Sequence, residues 1–284
     1  MTATLSAPHR APRPGTRISM RGRRALRIAF GVLLLGWILT PLLPLALWSV
    51  AGRWQAPAVL PDTYSLDAFT VLGVPGTLRA ALASLLLGCT VALVATPLGL
   101  LGALAARALP GRRGRVVDLI LLAPLAVPPF ALVMGANTTL LRLHVPAFAG
   151  VVLILVVTAL PYTTFMFRSA LAAYEPRFED VAGTLGADRR QVLRHVRVPL
   201  LSTATARAFF LAFLVGWGDY IATLLAGGGQ LRTLPMLLGA AASSTGNEQL
   251  TAVLSLAVIV PPVVILVAFV LPGSVTAIIR KATP

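Results

Sequence analysis

Long apolar runs alternate with short charged segments along this chain of 284 residues. Six gaps between charged side chains are 23 to 31 residues long, and the fifth gap contains one internal acid, Asp219. About 20 apolar residues cross the hydrocarbon core of a bilayer, and a charge near its centre is costly. The pattern therefore predicts an all-α, polytopic membrane protein with six transmembrane helices. The gaps lie between Arg27 and Arg53, Arg79 and Arg107, Asp118 and Arg142, Arg142 and Arg168, Arg207 and Arg232, and Glu248 and Arg280.

Glycine and proline give the predicted spans different characters. The first span, about 28–50, contains Pro41 and Pro44, and its apolar part is too long for a signal-peptide core. The second, about 78–106, is rich in glycine and alanine, which predicts close packing against other helices. Its glycines are Gly88, Gly99 and Gly102.

Prolines in the third and fourth spans predict interrupted helices. Pro128 and Pro129, with Pro124, fall inside the third span, where each removes a backbone donor and favours a kink. Freed carbonyls need protein or water partners, so this span is expected to line a pathway, with an ordinary structural kink as the alternative. Pro161 is expected to interrupt the fourth span, about 147–167.

Basic residues predict the orientation of these spans. The chain start, residues 107–118, residues 168–207 and the chain end together hold 20 of the 24 basic side chains. Short cytoplasmic loops retain arginine and lysine, whereas translocated loops lose them. Both termini and the segment 168–207 are therefore expected to be cytoplasmic.

Composition agrees with this class and excludes others. The chain is 57% hydrophobic and 12% charged, with a mean hydropathy of +0.86, which is typical of an integral membrane protein. The net charge of +15 does not indicate nucleic-acid binding, because the basic residues bracket apolar runs. Cys89 is the single cysteine, so neither a disulfide framework nor a cysteine metal cluster is available.

The charged segment Arg168–Arg207 is too polar to cross a bilayer and too regular for a disordered loop. Its first half predicts a short helix with a low-profile surface that ends at Gly186. Its second half predicts an amphipathic helix that Pro199 ends or redirects. The basic face of that helix carries Arg190, Arg194 and Arg197. The segment is interpreted as a docking element for a cytoplasmic protein, with binding to anionic lipid headgroups as the alternative.

The spacing within this segment resembles the loop motif of permease subunits in binding-protein-dependent ABC importers of the type I fold. That motif has an acid followed by two small residues, a glycine six residues after the acid, and then an aliphatic residue and a proline. The matching positions are Asp180, Val181, Ala182, Gly186, Val196 and Pro199. The family's usual acid is Glu, so either Asp180 or its neighbour Glu179 is expected to face the partner.

The resemblance implies that this loop couples the permease to a separate ATPase subunit. The coupling residues are then Glu179, Asp180, Val181, Ala182, Gly183, Gly186, Arg190, Arg194, Val196 and Pro199. The implied partners are an ATPase dimer that binds ATP and Mg²⁺, a second permease subunit in a homodimer or heterodimer, and an extracytoplasmic solute-binding protein. The chain itself has no phosphate-binding loop, so it is expected to bind no cofactor and no metal and to be no enzyme. The implied location is the bacterial cell (inner) membrane.

The resemblance also divides the chain into four parts. Residues 1–27 form a basic cytoplasmic tail, and 28–77 form the first transmembrane helix with an extracytoplasmic loop. Residues 78–275 form the permease core, and 276–284 form the cytoplasmic C-terminal tail.

Candidates for the pathway or gate cluster in the third and fifth spans. Asp219 is placed near the middle of the fifth span, where an acid is expected to face the bundle interior or a cavity. Either it meets a cationic substrate or it has a structural role beside the gate. The full set of pathway candidates is Asp219, Trp217, Tyr220, Pro128 and Pro129.

The loop sequence Thr184–Ala187 is similar to that of polyamine and iron permeases, which favours a polyamine or another small charged solute as substrate. A sugar or other organic solute is the alternative. An ion-gradient-driven secondary transporter is the competing class. A membrane enzyme is disfavoured, because His9, His144 and His195 are scattered and no paired carboxylates lie at catalytic depth.

Overall fold

The computed structural model describes residues 20–54, 57–174 and 177–270. The predicted C-terminal tail and residues 1–19 of the N-terminal tail lie outside this range. The described chain is mostly helical. Its α-helices are α1 Met20–Leu39, α2 Leu42–Val50, α3 Pro75–Ala108, α4 Arg112–Leu122, α5 Pro129–Arg142, α6 Ala147–Ala172, α7 Arg177–Thr184, α8 Arg189–Val192, α9 Val198–Trp217, α10 Ile221–Ala226, α11 Leu234–Ala242 and α12 Glu248–Val270.

Two strands, two 3₁₀ helices and one π-helical turn connect these helices. They are β1 Ala51–Arg53, β2 Thr63–Tyr64, two 3₁₀ helices at Asp67–Gly73 and Ala123–Ala126, and a π-helical turn at Leu193–Arg197. The chain divides into two compact units, Met1–Leu47 and Trp48–Pro284. The first contains α1, whose apolar side chains from Leu26 onward are exposed, as suits a helix surrounded by lipid.

Four described helices are long and apolar enough to cross a membrane: α3, α6, the continuous helix Arg189–Trp217, and α12. The count reaches six if α1 with α2, and α4 with α5, each form one broken span. The six-span prediction corresponds to this upper count. The third predicted span is not one kinked helix, because α5 turns by 103° from the helical segment Arg112–Ala126. The turn falls at Pro128 and Pro129, where two successive backbone donors are missing.

Helices α3, α6 and α9 form the packed centre of the second unit. A Cβ added at Gly216 of α9 would lie 2.7 Å from the Gly88 Cα of α3. One added at Gly99 would lie 2.2 Å from the Thr163 hydroxyl of α6, and one at Gly102 would lie 2.8 Å from Leu121. The predicted role of Gly88, Gly99 and Gly102 in close helix packing is therefore confirmed.

We expect Gly216→Ala to lower the melting temperature of the purified protein, because its methyl group would meet backbone atoms of α3. Overpacking of this kind costs about 1–3 kcal/mol. Gly135→Ala is the matched control, since nothing lies within 4 Å of a Cβ at this helical position. Thermal unfolding in detergent measures both, and an equal melting temperature for the two variants would contradict the packing described for α3 and α9.

Two other helices differ from the sequence prediction. Helix α6 continues through Pro161, because its burial against α3 and α9 compensates for one missing backbone hydrogen bond. The helix that contains the fifth predicted span begins already at Arg189 and ends at Trp217. Asp219 therefore follows the helix and does not lie near the middle of a span.

The segment between α2 and α3 has more order than the predicted loop. Strands β1 and β2 pair antiparallel, and the Trp48 and Trp54 rings stack with centroids 4.5 Å apart. The Gln249 amide of α12 donates to the Ser65 carbonyl oxygen at 2.8 Å. This hydrogen bond holds the segment against the start of α12.

Candidate functional site

We call Arg168–Arg207 the docking segment, after its predicted role. Its first short helix is α7, which ends at a Schellman turn. The Ala187 N–H donates to the Ala182 carbonyl and the Gly186 N–H donates to the Gly183 carbonyl, both at 3.0 Å. Gly186 has a φ of +84°, a left-handed conformation that glycine adopts without steric cost. The predicted helix stop at Gly186 is confirmed, and the turn gives α7 a sharply defined end.

The second half of the segment begins with a capping box. The Gln191 N–H donates to Asp188 Oδ1 at 2.6 Å, and the Asp188 N–H donates to Gln191 Oε1 at 2.9 Å. This reciprocal pair satisfies backbone donors at the start of α8. The sequence pattern of an Asp followed three residues later by a Gln could have revealed this cap.

Pro199 neither ends nor redirects the second helix, contrary to the sequence prediction. Helix α8 passes through the π-helical turn Leu193–Arg197 into α9, and Arg189–Trp217 forms one continuous span candidate. Pro199 lies just after the π-helical turn, and a local π adjustment of this kind accommodates the backbone donor that proline lacks. The docking segment is therefore joined to a membrane helix without a flexible link.

Three side chains form what we call the clamp: Tyr174, Glu179 and Arg197. Arg197 donates through Nε to Glu179 Oε1 at 2.9 Å and through Nη2 to Glu179 Oε2 at 2.8 Å. The Tyr174 hydroxyl donates to the same Glu179 carboxylate. The clamp ties the chain after α6, the first turn of α7 and the π-helical turn into one unit.

Electrostatics reinforces the clamp. Hydrogen bonds from Arg197 and then from Tyr174 lower the pKa of Glu179 below its ordinary value, although burial opposes this. Burial and then the Glu179 carboxylate raise the pKa of Tyr174. The ionised Glu179 is thus favoured by folding at neutral pH. Its contribution is lost only as acid titrates the carboxylate through its lowered pKa.

The sequence placed Arg197 on one basic face with Arg190 and Arg194, and the structure separates it from them. All three arginines are exposed, but Arg197 pairs with Glu179 of α7, whereas Arg190 and Arg194 have no ion-pair partner among the described residues. The π-helical turn contains more residues than an α-turn, which changes the angular register between Arg190 and Arg197. The roles of Arg197 and Tyr174 were missed because they depend on a contact that joins residues 18 positions apart.

Several exposed residues at and after the middle of α7 have side chains that take no part in such contacts among the described residues. Asp180 is exposed, and its carboxylate has no hydrogen-bond or ion-pair partner among the described residues. Val181 is exposed, Leu185 is 82% exposed, and a Cβ added at Gly183 would meet nothing within 4 Å. We call Asp180, Val181, Gly183 and Leu185 the docking face. Ala182 and Val196 are half-buried behind it, and Pro199 lies exposed in α9.

The pathway candidates occupy several places in the structure. Asp219 accepts hydrogen bonds from the Thr223 N–H at 2.8 Å, the Thr223 hydroxyl at 2.9 Å and the Ala222 N–H at 3.2 Å. Its carboxylate therefore stabilises the first turn of α10. The buried Trp217 donates from Nε1 to the Val258 carbonyl at 2.8 Å.

Tyr220 packs its ring edge over Gly239, where an added Cβ would lie 2.6 Å from the ring. Pro128 and Pro129 lie at the break before α5 and are exposed. The structure thus connects Trp217, Asp219 and Tyr220 to the helices around them, while Pro128 and Pro129 shape a separate corner. A pathway role for these five residues stays a prediction.

We expect Asp219→Ala to lower the melting temperature, because two backbone donors and one hydroxyl lose their acceptor. Loss of a helix cap costs about 0.5–2 kcal/mol. Asp219→Asn is the comparison variant, since its amide oxygen can still accept from Thr223, while the charge and the acceptor of the longer Ala222 hydrogen bond are lost. A change in substrate preference in Asp219→Asn, with unchanged melting temperature, would instead show that the charge meets the substrate.

Known proteins resemble this chain both in sequence and in fold. Residues 95–282 match the family model described as "Binding-protein-dependent transport system inner membrane component". A putative 2-aminoethylphosphonate transport system permease protein of Salmonella typhimurium is 26% identical over 223 residues, which cover 78% of this chain and 83% of that protein. A ferric transport system permease protein of Actinobacillus pleuropneumoniae is 25% identical over 175 residues, covering 56% of this chain and 26% of that protein.

Solved structures share the fold at low sequence identity. A crystal structure of a bacterial ABC transporter involved in the import of alginate aligns with a TM-score of 0.58 and 15% identity, covering 92% of this chain and 97% of that chain. A bacterial alginate ABC transporter in complex with alginate pentasaccharide-bound periplasmic protein aligns with a TM-score of 0.59 and 14% identity, covering 87% and 93%. The family match, the apolar helices and the shared fold together show that this chain is a multi-pass membrane protein of the binding-protein-dependent transport system inner membrane component family, the permeases of ABC importers.

Proposed function

We propose that the docking face of α7 is the surface through which a separate ATPase subunit drives this permease. The observation that supports this proposal most directly is that an unpaired carboxylate and exposed apolar side chains lie on a helix whose two ends are fixed by other parts of the chain. The clamp fixes the start of α7 and the Schellman turn at Gly186 fixes its end. Exposed apolar groups beside an unpaired charge are typical of a protein interface.

Asp180 is the acid that faces the ATPase in this proposal, whereas Glu179 belongs to the clamp. Both oxygens of Glu179 are occupied by Arg197, and Tyr174 adds a third hydrogen bond. A second charged partner for Glu179 would have to compete with this bidentate pair. Asp180 has no partner among the described residues, so it can bind a charged group of another protein without breaking an existing ion pair.

The continuous helix Arg189–Trp217 explains how motion at the docking face would reach the membrane. The clamp joins α7 to this helix at Arg197, and α9 then contacts α3 at the close approach of Gly216 to Gly88. A displacement of the docking face would therefore move α9 as a rigid rod relative to α3. Motion of the ATPase would reach the transport pathway without an intervening hinge.

The proposed topology has six spans with both termini cytoplasmic. The upper count of six candidate spans and the bias of basic residues toward the side of the docking segment support it. The four-part division at 27, 77 and 275 is part of this proposal. The chain would then form half of the pathway beside a second permease subunit. An ATPase dimer would bind ATP and Mg²⁺, and an extracytoplasmic binding protein would deliver the solute.

A small charged solute is the proposed substrate class. The relatives include proteins named for 2-aminoethylphosphonate and ferric transport, which are charged cargoes. A polyamine remains one member of this class without specific support, and a sugar or other organic solute is the alternative. Uptake by reconstituted transporter with its binding protein, competed by charged and neutral solutes in turn, separates the two.

Co-purification from native membranes tests the docking proposal. We expect an ATPase subunit to accompany the wild-type chain and to be lost with Asp180→Arg, which leaves the clamp intact. Asp62→Arg is the matched control, because Asp62 is another exposed acid and lies between β1 and β2. Membrane insertion and melting temperature are measured for each variant.

Two outcomes would contradict the proposal. Retention of the ATPase by Asp180→Arg would place the docking surface elsewhere on the permease. Absence of any ATPase from the folded wild type, together with solute flux driven by an ion gradient in liposomes of this chain alone, would favour the secondary-transporter class.

A further inference from the structure

A cavity of about 400 Å³ lies at the end of the bundle that carries the docking segment. The last turns of α3 and α6 and the middle of α4 surround it. Its lining residues are Ala103, Ala106, Arg107, Asp118, Arg168, Leu171 and Ala172. We call it the arginine cavity. A water occupies about 30 Å³ in the liquid, so the cavity has room for a hydrated phosphate ester.

The arginine cavity has an excess of cationic donors. Arg107 donates from Nη1 to the Leu171 carbonyl at 2.7 Å, and Arg168 pairs through Nη1 with Asp118 Oδ1 at 2.8 Å. Among the described residues, these are the hydrogen bonds and ion pairs of the two guanidinium groups. Each guanidinium has five N–H donors in a planar fork, so most donors on both side chains are free.

The acids that the structure describes do not neutralise this excess. Among the described residues, Asp118 is the one acid that lines the cavity. The charge of Glu179 also acts on Arg107, but Glu179 is held by Arg197 in the clamp. Two cations and one paired anion leave the cavity with a net positive charge, which favours an anionic ligand.

The pattern of charged and apolar residues along α4 indicates that the cavity lies at the level of lipid headgroups. Its first turn carries the exposed Arg112, Arg113 and Arg115, and exposed apolar side chains follow at Leu119 and Ile120. A helix that changes from basic to apolar along its length is typical of an entry into the hydrocarbon from an interface. Asp118 and Arg168 lie at this transition, beside an apolar surface that acyl chains could cover.

We propose that the arginine cavity binds the phosphate of an anionic phospholipid from the cytoplasmic leaflet, held between Arg107 and Arg168. Paired guanidinium groups bind phosphate oxygens in bidentate geometry, and basic pockets between transmembrane helices are known to recognise anionic headgroups. Asp118 competes with the phosphate for Arg168, so the ion pair is the lipid-free arrangement. The proposal rests on the proposed topology only in assigning this end of the bundle to the cytoplasmic leaflet.

Lipid retention by the purified full-length chain tests this site. The chain is reconstituted in nanodiscs of phosphatidylcholine with a minor fraction of phosphatidylglycerol, and the phosphatidylglycerol retained after transfer to detergent is counted by native mass spectrometry. Arg168→Gln is expected to lower retention about fivefold, because one basic side chain near a membrane surface contributes about 1 kcal/mol. Arg142→Gln, an exposed arginine at the far end of α5, is the control and should retain the wild-type amount.

Asp118→Asn makes the test independent of folding damage. It breaks the same ion pair as Arg168→Gln, but it releases Arg168 and is expected to raise phosphatidylglycerol retention. A purely structural ion pair would make both variants lose lipid. A shift in the same direction for both variants therefore overturns the proposal.

Two further arms identify the source of the phosphate and separate this proposal from the proposed function. Displacement of phosphatidylglycerol by millimolar inorganic phosphate would show a site for free anions and overturn the lipid assignment. The leaflet is tested by Arg113→Cys in a Cys89→Ser background with a membrane-impermeant maleimide. Labelling from outside intact cells would refute the proposed topology, whereas the opposite shifts of the two variants would still establish a phosphate site.

Discussion

Glu179→Arg is expected to uncouple transport from ATP hydrolysis, and the added change Arg197→Glu is expected to restore much of the coupling. The single variant places two arginines where the structure has a bidentate ion pair. Hydrogen bonds to charged groups contribute about 1.5–3 kcal/mol, so loss of the pair should lower coupled uptake by about tenfold or more. In the double variant, an arginine at position 179 and a glutamate at position 197 can form the same ion pair with the charges exchanged. Uptake per ATP hydrolysed in proteoliposomes is the measurement.

The control for the charge swap is Arg197→Glu alone, which places a second carboxylate beside Glu179 and allows no reciprocal pair. We expect this single variant to be uncoupled as well. If the Glu179 and Arg197 changes combine without rescue, the clamp does not act as one unit. If the single variant Glu179→Arg transports normally, the link between α7 and α9 lies elsewhere.

Gly186→Val is expected to abolish docking of the ATPase, whereas Gly186→Asn should retain it. The left-handed conformation at Gly186 costs about 1–2 kcal/mol for most L-residues, and asparagine tolerates it better than a β-branched residue. Space is not the cause, because nothing lies within 4 Å of a Cβ at this position. The strain would open the Schellman turn and move Leu185 out of the docking face.

Gly183→Ala provides the matched comparison for Gly186. Gly183 lies inside α7 with helical geometry and open space around a Cβ, so alanine should favour the helix by about 0.5–1 kcal/mol. ATPase co-purification with Gly186→Val, Gly186→Asn and Gly183→Ala separates backbone strain from surface shape. Loss of the ATPase with Gly183→Ala alone would show that the partner approaches the α7 backbone itself. Equal docking by all three variants would contradict the role of the turn.

Sequence spacing singled out the segment Arg168–Arg207, which we propose to dock an ATPase, because its signals are local. A glycine that must stop a helix, an acid beside small residues and a nearby proline all act within a few positions of one another. The same locality limited the interpretation of the acids. Glu179 and Asp180 are adjacent in sequence, and only the pairing of Glu179 with Arg197 separates the clamp from the docking face.

The bounds of the spans show the same division. Charge spacing found α3, α6 and α12, since a charge in hydrocarbon is costly wherever the chain goes afterwards. It did not find the 103° turn before α5, nor the end of α9 at Trp217. Those boundaries depend on which backbone groups find partners. Asp219, for example, accepts hydrogen bonds from the first turn of α10 and so stabilises the break between α9 and α10. Hydropathy alone does not predict this break.

The sequence by itself determined the membrane class, the helical character of the chain and the end of α7 at the Gly186 turn, because apolar length, charge spacing and glycine stops act locally. Only the tertiary structure decided that Arg197 faces α7, that Pro199 lies within a continuous helix, and that Arg107, Asp118 and Arg168 share one cavity. The physical reason is that ion pairs and helix contacts join distant parts of the chain. Their geometry is fixed by the packing of α3, α6 and α9, on which no local pattern reports.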